Sequence, residues 1–295
     1  MSGEPATHAT EFEAQRRRLI GLAYRMLGSF AEAEDVVQDA FLRFRAVELA
    51  QVSNVGSYLS TTVARLCLDR LKSARAQRES YVGTWLPEPI LEESPALPDS
   101  ALELADDLSF ALLMTLERLS APERTAFLLH DVFGLDFDSI ADVLERSAPA
   151  CRKLAERART EVHEGRTRYR PDPAQETRLF QAFLQASATG DTEALAQLLA
   201  HDAVLYTDGG GKRSAALKPI YGRDRITRFL AGIVRKPSYL VPRGIVARRV
   251  NQLPGCVIKY DGGEFAVAAF EVQGDVIARM YVVSNPDKLR HLRSS

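Results

Sequence analysis

Four cations stand close together in "PACRKLAERARTEVH": Arg152, Lys153, Arg157 and Arg159. At 100° per residue they share one face of a helix, while Cys151, Leu154, Ala155, Ala158 and Val162 share the other. Guanidinium and ammonium groups on one face are suited to phosphate oxygens and to purine edges in a major groove. Just upstream, "DFDSIADVLE" repeats apolar residues at Phe137, Ile140, Ala141 and Leu144. A polar break at Glu145–Arg146 follows, with Ser147 placed as an N-cap and Pro149 in the first turn of the next helix. Two helices joined in this way form a helix-turn-helix, whose second helix enters the groove. The alternative is a solvated αα-hairpin, but the basic residues gather here while their neighbours are acidic.

Other sets are weaker. In Ser57–Arg78 the apolar face is Leu59, Val63, Leu66 and Cys67, and Thr61, Arg65 and Lys72 lie nearly opposite, where they could meet DNA backbone. Arg70 projects onto the apolar side, which suits a structural ion pair. In Ala31–Arg45, Val36, Val37, Ala40, Phe41 and Phe44 make the packed arc, leaving Asp35, Gln38, Asp39 and a stray Leu42 outside. "DGGGK" (Asp208, Gly209, Gly210, Gly211, Lys212) is not a phosphate loop, because Tyr206 stands at the first glycine position and Arg213 at the magnesium-holding Ser/Thr position. It reads as a glycine turn after the strand "AVLYT". His201 and Asp202, just before that strand, and Asp261 in a turn could do acid–base work, but no pair of titratable groups is assembled by spacing. No catalytic residue is expected, and no cofactor. Cys67, Cys151 and Cys256 lack metal-ligand or disulfide spacing, so no metal site is expected either.

The elements that position these residues fall into blocks. The chain has 295 residues, 46% hydrophobic and 26% charged, with no apolar run long enough to span a membrane. Its beginning lacks a signal-peptide h-region, and a reducing cytoplasmic setting is expected. The net charge of −1 hides segregation. Glu79 to Glu117 carries nine acidic residues and no Lys or Arg, whereas Ser147 to Arg170 carries seven basic residues against three acidic ones. Helical patterns run from about 11 to 80 and from about Ser100 to Arg170, and "RPDP" at 170–173 stops them. Between them lies "YVGTWLPEPILEESPALPDS", with the sole tryptophan and four prolines. Proline excludes helix or inner strand there, yet a mere spacer has no use for Trp85. "ETRLFQAFLQASATGDTEALAQLLA" reads as two helices, and from Tyr239 alternating runs with Gly turns predict an antiparallel meander. Helices followed by a meander imply an α+β domain.

Taken in order, these segments resemble extracytoplasmic-function sigma factors of bacterial RNA polymerase. "AEDVVQDAFLRF" is similar to their core-polymerase-binding helix, "SYLSTTVARLCLDRLKSARAQRE" to their minus-ten-reading segment, and "LERLSAPERTAFLLHDVFGLDFDSIADVLERSAPACRKLAERAR" to their minus-thirty-five-reading segment. "WLPEP", "DGGGK" and "NPDKL" resemble the marks of a subgroup with a fused C-terminal SnoaL-like domain of NTF2-like fold.

The resemblance implies a multidomain protein: an all-α sigma region-two domain (1–80), a Pro-rich acidic linker (81–102), an all-α region-four helix-turn-helix domain (103–170) and an α+β SnoaL-like domain (174–295). It implies that Asp35, Gln38, Asp39 and Leu42 meet the β′ clamp of RNA polymerase core, with the β flap a further partner. Asn54, in the loop Gln51–Gly56, with Arg65 and Lys72 would contact minus-ten DNA. Arg152, Lys153, Arg157 and Arg159 would read promoter duplex. Leu154 stands where many relatives carry a basic residue, which leaves the bases open. Trp85, Leu86 and Pro87 would dock, with Asp208, Gly209, Gly210, Gly211 and Lys212 and with Asn285, Pro286, Asp287 and Lys288 as regulatory contacts. A small ligand in the C-terminal pocket stays open. The rival reading is a one-component helix-turn-helix regulator with a ligand-binding or cyclase-like domain.

Overall fold

The computed structural model describes residues 7–79, 81–92, 108–165, 172–235 and 241–292. The acidic residues Glu93, Asp99, Glu103, Asp106 and Asp107, and the first two residues of "RPDP", lie outside them. The chain divides into two units, one of Met1–Glu79 with Ala96–Arg166, the other of Ser80–Pro95 with Thr167–Ser295. No helix among the described residues is long and apolar enough to cross a membrane.

The first unit is helical. Helix α1 (His8–Leu27) starts from a capping box in which the Thr7 and Thr10 side chains satisfy each other's amides, and it ends at Gly28 with φ 68°. Helix α2 (Phe30–Arg45) is capped by Ser29 and buries Val36, Val37, Ala40 and Phe44. A short 3₁₀ turn at Leu49–Gln51 leads to α3 (Val55–Glu79), whose first free amides are met by Asn54. Leu59, Val63, Leu66 and Cys67 are buried as the periodicity required.

Helices α4 (Phe110–Arg118) and α5 (Ala121–Phe127) follow, the latter opened by a Ser120–Glu123 capping box with Pro in its first turn. A π-helical turn at Leu128–Val132 then bends the chain before α6 (Phe137–Leu144) and α7 (Ala148–Gly165). No feature of the apolar spacing marks that turn. The helices from both sides of the linker pack into one body: Arg124 is 3% exposed and donates to the Met26 carbonyl, and Arg18 donates to the Phe133 carbonyl at 2.6 Å.

The second unit is α+β. Helices α8 (Pro173–Thr189), α9 (Thr192–Leu198) and α10 (Arg223–Val234) lie against a six-stranded sheet. Its strands are β1 (Leu199–Asp208), β2 (Ile220–Tyr221), β3 (Gly244–Val250), β4 (Leu253–Lys259), β5 (Phe265–Gln273) and β6 (Val276–Val283), in the order β2-β1-β6-β5-β4-β3. The run from β3 to β6 is the expected meander. The parallel pairing of β1 with β6 was not foreseen, since it joins strands some seventy residues apart. Phe180, Phe183, Leu195, Ile226, Phe270 and Met280 form the core between helices and sheet. One placement corrects the sequence reading: His201 and Asp202 lie inside β1 rather than before it. Asp208 ends the same strand and is buried.

Candidate nucleic-acid interface and linker dock

In the helix-turn-helix, Asp136 caps α6 by accepting from the Ser139 amide at 2.7 Å, and this bond lowers its carboxyl pKa. The helix ends at Glu145, which takes φ 53°, a left-handed conformation unusual for a residue with a Cβ. The Ser147 carbonyl then accepts the first α7 bond, from the Cys151 amide. Cys151, Leu154, Ala155, Ala158 and Val162 are buried, and Arg152, Lys153, Arg157 and Arg159 are exposed on the opposite face. That face is partly neutralised. Arg159 bonds Asp131 at 2.7 Å, Arg157 approaches Glu123 at 3.5 Å, and the Arg152 guanidinium lies 5.4 Å from the Phe137 ring centre. Exposed pairs of this kind contribute at most about 1 kcal/mol each, so a phosphate can displace them.

A cavity of about 380 Å³ opens at the start of α3, lined by Gln51, Asn54, Ser57, Tyr58 and Arg65 and closed from α6 by Ser139 and Asp142. Arg65 donates to the Asp142 carbonyl at 3.0 Å. Asn54 uses its side-chain oxygen to cap α3, accepting from the Ser57 amide at 2.9 Å. Lys72 is exposed beside Asp69 at 3.0 Å. On α2, Asp35, Gln38, Asp39 and Leu42 are exposed, Leu42 by 56%. Asp39 and Asp35 pair with Arg70 at 3.3 and 3.7 Å, the structural role expected for that arginine.

The linker dock is built around one carboxylate. Asp208 is 1% exposed and takes four donors: the Tyr81 hydroxyl at 2.5 Å, the Leu86 amide at 2.9 Å, the Lys288 ammonium at 2.7 Å and the Gly210 amide at 3.0 Å. Lys288 also donates to the Leu86 carbonyl and lies 4.1 Å from the centre of the Trp85 ring. Asn285 donates to the Tyr81 oxygen at 2.8 Å and accepts from the Asp287 amide. Burial, and then the bond to Asp208, push the Tyr81 pKa up. Lys212 bonds Asp287 and holds that carboxyl below the usual range.

The glycines are required by this packing. A Cβ on Gly210, at φ 60°, would fall 2.2 Å from the Asn285 amide nitrogen, and one on Gly209 would fall 2.2 Å from the Arg213 carbonyl. Leu86, Pro87, Glu88, Pro89 and Ile90 are all buried, and Trp85 and Pro286 are half-buried.

The far end of the linker is held by residues that the sequence reading missed. The Asn251 side chain accepts from the Ile90 amide at 2.9 Å, and its own amide donates to the Ile90 carbonyl. His291 meets the Pro89 carbonyl at 2.9 Å, and Arg249 bonds Glu92 at 3.0 Å and Glu176 at 3.2 Å. Asn251 and Gln252 both have positive φ, the mark of a two-residue hairpin turn, so Asn at that place was the available signal. The titratable candidates are not brought together: His201 and Asp202 are exposed on β1, while Asp261 bonds Arg243 at 2.5 Å. Among the described residues no group of three His, Cys, Asp or Glu side chains could hold a metal ion.

Comparison with known proteins gives two family matches: Sigma-70 region 2 over residues 12–77 and Sigma-70, region 4 over residues 109–162. The chain is 36% identical to the ECF RNA polymerase sigma factor SigJ of Mycobacterium tuberculosis, over 95% of this chain and 92% of that protein. It is 30% identical to the "Probable ECF RNA polymerase sigma factor SigI" of the same species, over 96% and 95%. The crystal structure of M. tuberculosis SigJ superposes with a TM-score of 0.76 at 33% identity, covering 96% of this chain and 98% of that one.

Proposed function

This chain belongs to the extracytoplasmic-function (ECF) sigma factors of RNA polymerase, and from that premise we propose that its linker and second unit control it in cis. As a sigma factor it binds RNA polymerase core and directs it to promoter DNA for transcription initiation. In the reading we favour, the boundaries 1–80, 81–102, 103–170 and 174–295 mark its working parts, and it acts in the cytoplasm. The exposed α2 residues Asp35, Gln38, Asp39 and Leu42 engage the β′ clamp, α7 reads the minus-thirty-five duplex, and the cavity beside Asn54 and Arg65 receives an unstacked minus-ten base. A ligand held by the SnoaL-like unit is compatible with this scheme, and no reaction is assigned to that unit.

The observation that carries the control is the Asp208 cluster. A buried carboxylate shared by the linker residues Tyr81 and Leu86 and by Lys288 is a costly feature for a passive spacer. It supports a linker fixed in one course, which limits how far the two helical segments can part. The Arg65 contact to Asp142 supports the same reading, since α6 closes the cavity that minus-ten DNA must enter. Polymerase then shifts the population towards an open arrangement.

A donor and an acceptor dye on residues 51 and 146 test this. Core polymerase should lower energy transfer between them, and Asp208→Asn should lower it without polymerase. Transfer that stays constant in both cases overturns control by closure. Run-off transcription that succeeds only with core polymerase present checks the sigma activity separately.

A further inference from the structure

We propose that the outer face of α10 is a second DNA-contacting surface, which grips duplex phosphates without reading sequence. The proposal rests on the sigma-factor reading only in that it takes promoter DNA as the anion at hand. Ile226 is fully buried, and Phe229 and Leu230 pack on the same core, which fixes the outward face of the helix. Arg225, Arg228, Gly232 and Arg235 are exposed along that face. Arg225 to Arg235 spans about 15 Å of helix axis at 1.5 Å per residue. Duplex DNA presents one charge per about 1.7 Å of its axis, so such a stripe can meet several phosphates.

The stripe lacks the counter-charge that several other arginines of its unit have. Arg213 faces Glu264, Arg243 faces Asp261, Arg249 faces Glu92 and Glu176, and Arg279 faces Glu271. Arg225 and Arg235 have no carboxylate partner among the described residues, and Arg228 donates only to the Asp224 carbonyl of its own helix at 3.2 Å. Arg223 approaches Asp224, the only acidic side chain of α10, at 3.9 Å.

Gly232 supplies an independent sign. Glycine weakens a helix interior, and here a Cβ would meet nothing within 4 Å, so no packing inside the chain requires it. A smooth spot between Arg228 and Arg235 lets a partner approach the helix backbone closely. Leu217 and Tyr221 are exposed just before the helix, but from Arg223 to Arg235 the described exposed positions carry no large apolar side chain, so the helix face itself lacks the anchor that a protein partner or a membrane surface would need. Guanidinium forks without apolar anchors fit phosphate.

The test compares wild-type holoenzyme, made from full chain and core polymerase, with R225Q/R228Q/R235Q holoenzyme across a salt series. A promoter duplex and a shuffled duplex of equal length serve as probes. At about 0.9 per phosphate contact, the slope of log affinity against log salt should become shallower by roughly 2.7 on both probes. R225K/R228K/R235K should keep the wild-type slope, and Gly232→Leu should weaken binding several-fold while leaving the melting temperature unchanged or higher. An unchanged slope, or a change confined to the promoter probe, overturns the proposal. So does a loss of affinity for core polymerase without DNA, which would assign the face to a protein partner. A wild-type chain that cannot support run-off transcription sinks the sigma reading instead, a result distinct from any of these.

Discussion

Removing the charge of one residue tests the linker dock most sharply. Asp208→Asn keeps the shape but leaves Lys288, 7% exposed, without its buried counter-charge. Breaking one side of a buried pair costs about 3–5 kcal/mol, whereas an apolar replacement of both sides can be neutral. Urea unfolding of the variant should therefore show a loss of at least about 3 kcal/mol, with Trp85 emission shifted to the red. A loss below about 1 kcal/mol would show that the pair is not holding the linker. Tyr81 gives a pH signature. Its folded pKa is raised, so its contribution is full below the unfolded phenol value of about 10 and is lost as pH rises through the folded value. The stability advantage of wild type over Tyr81→Phe should narrow above about pH 10, and an advantage constant to pH 11 would contradict the buried bond. Asp208 shows what a sequence conceals at this scale. The motif marked Asp208 as a contact for the linker, but its burial and its partners at 81, 86 and 288 have no local signal beside three glycines.

For elements, periodicity carried most of the information. The buried and exposed faces of α2, α3 and α7 follow from apolar spacing, because one side of each helix must pack. The meander was legible from alternation and Gly turns, for the same reason applied to strands. The β1–β6 parallel pair was not, because register between distant strands has no local signal. Neither were Asn251, His291 and Arg249, which act on a linker lying more than 150 residues away in the chain. At this scale α7 can be tested by replacing Arg152 and Arg157 with alanine. Both arginines are exposed, and their present partners are a half-buried ring and a 3.5 Å contact to a carboxylate, so folding should be little affected. Promoter affinity of the holoenzyme should fall, with a salt slope shallower by about 1.8 if both meet phosphate. An identical slope would remove α7 from the interface. Gly210→Ala should destabilise the second unit in a thermal melt, because the added methyl meets Asn285 in a left-handed backbone.

In the whole molecule, the helical segments on either side of the linker form one body in this structure, fastened by Arg18, Arg65 and Arg124. The sequence implied separable modules, and the two views meet if the closed body is one state of an equilibrium. Arg18→Ala with Arg65→Ala removes two carbonyl contacts while sparing the buried Arg124. Roughly 1–3 kcal/mol of closure should be lost, and hydrogen exchange of α6 amides should quicken in the variant. Unaltered exchange would mean that packing alone keeps the body shut.

The linker's anchor points also impose an order on synthesis. Tyr81 to Glu92 leave the ribosome early, but Asp208, Asn251, Asn285 and Lys288 are made later, the last some two hundred residues after Leu86. At 5–20 residues per second, the stretch from Arg170 to Leu292 takes roughly 6 to 25 s to appear. During that interval a nascent chain has its promoter-reading helices but no berth for the strap between them. Each newly translated copy thus passes through an untethered childhood, and a ribosome stalled downstream of residue 170 would prolong it.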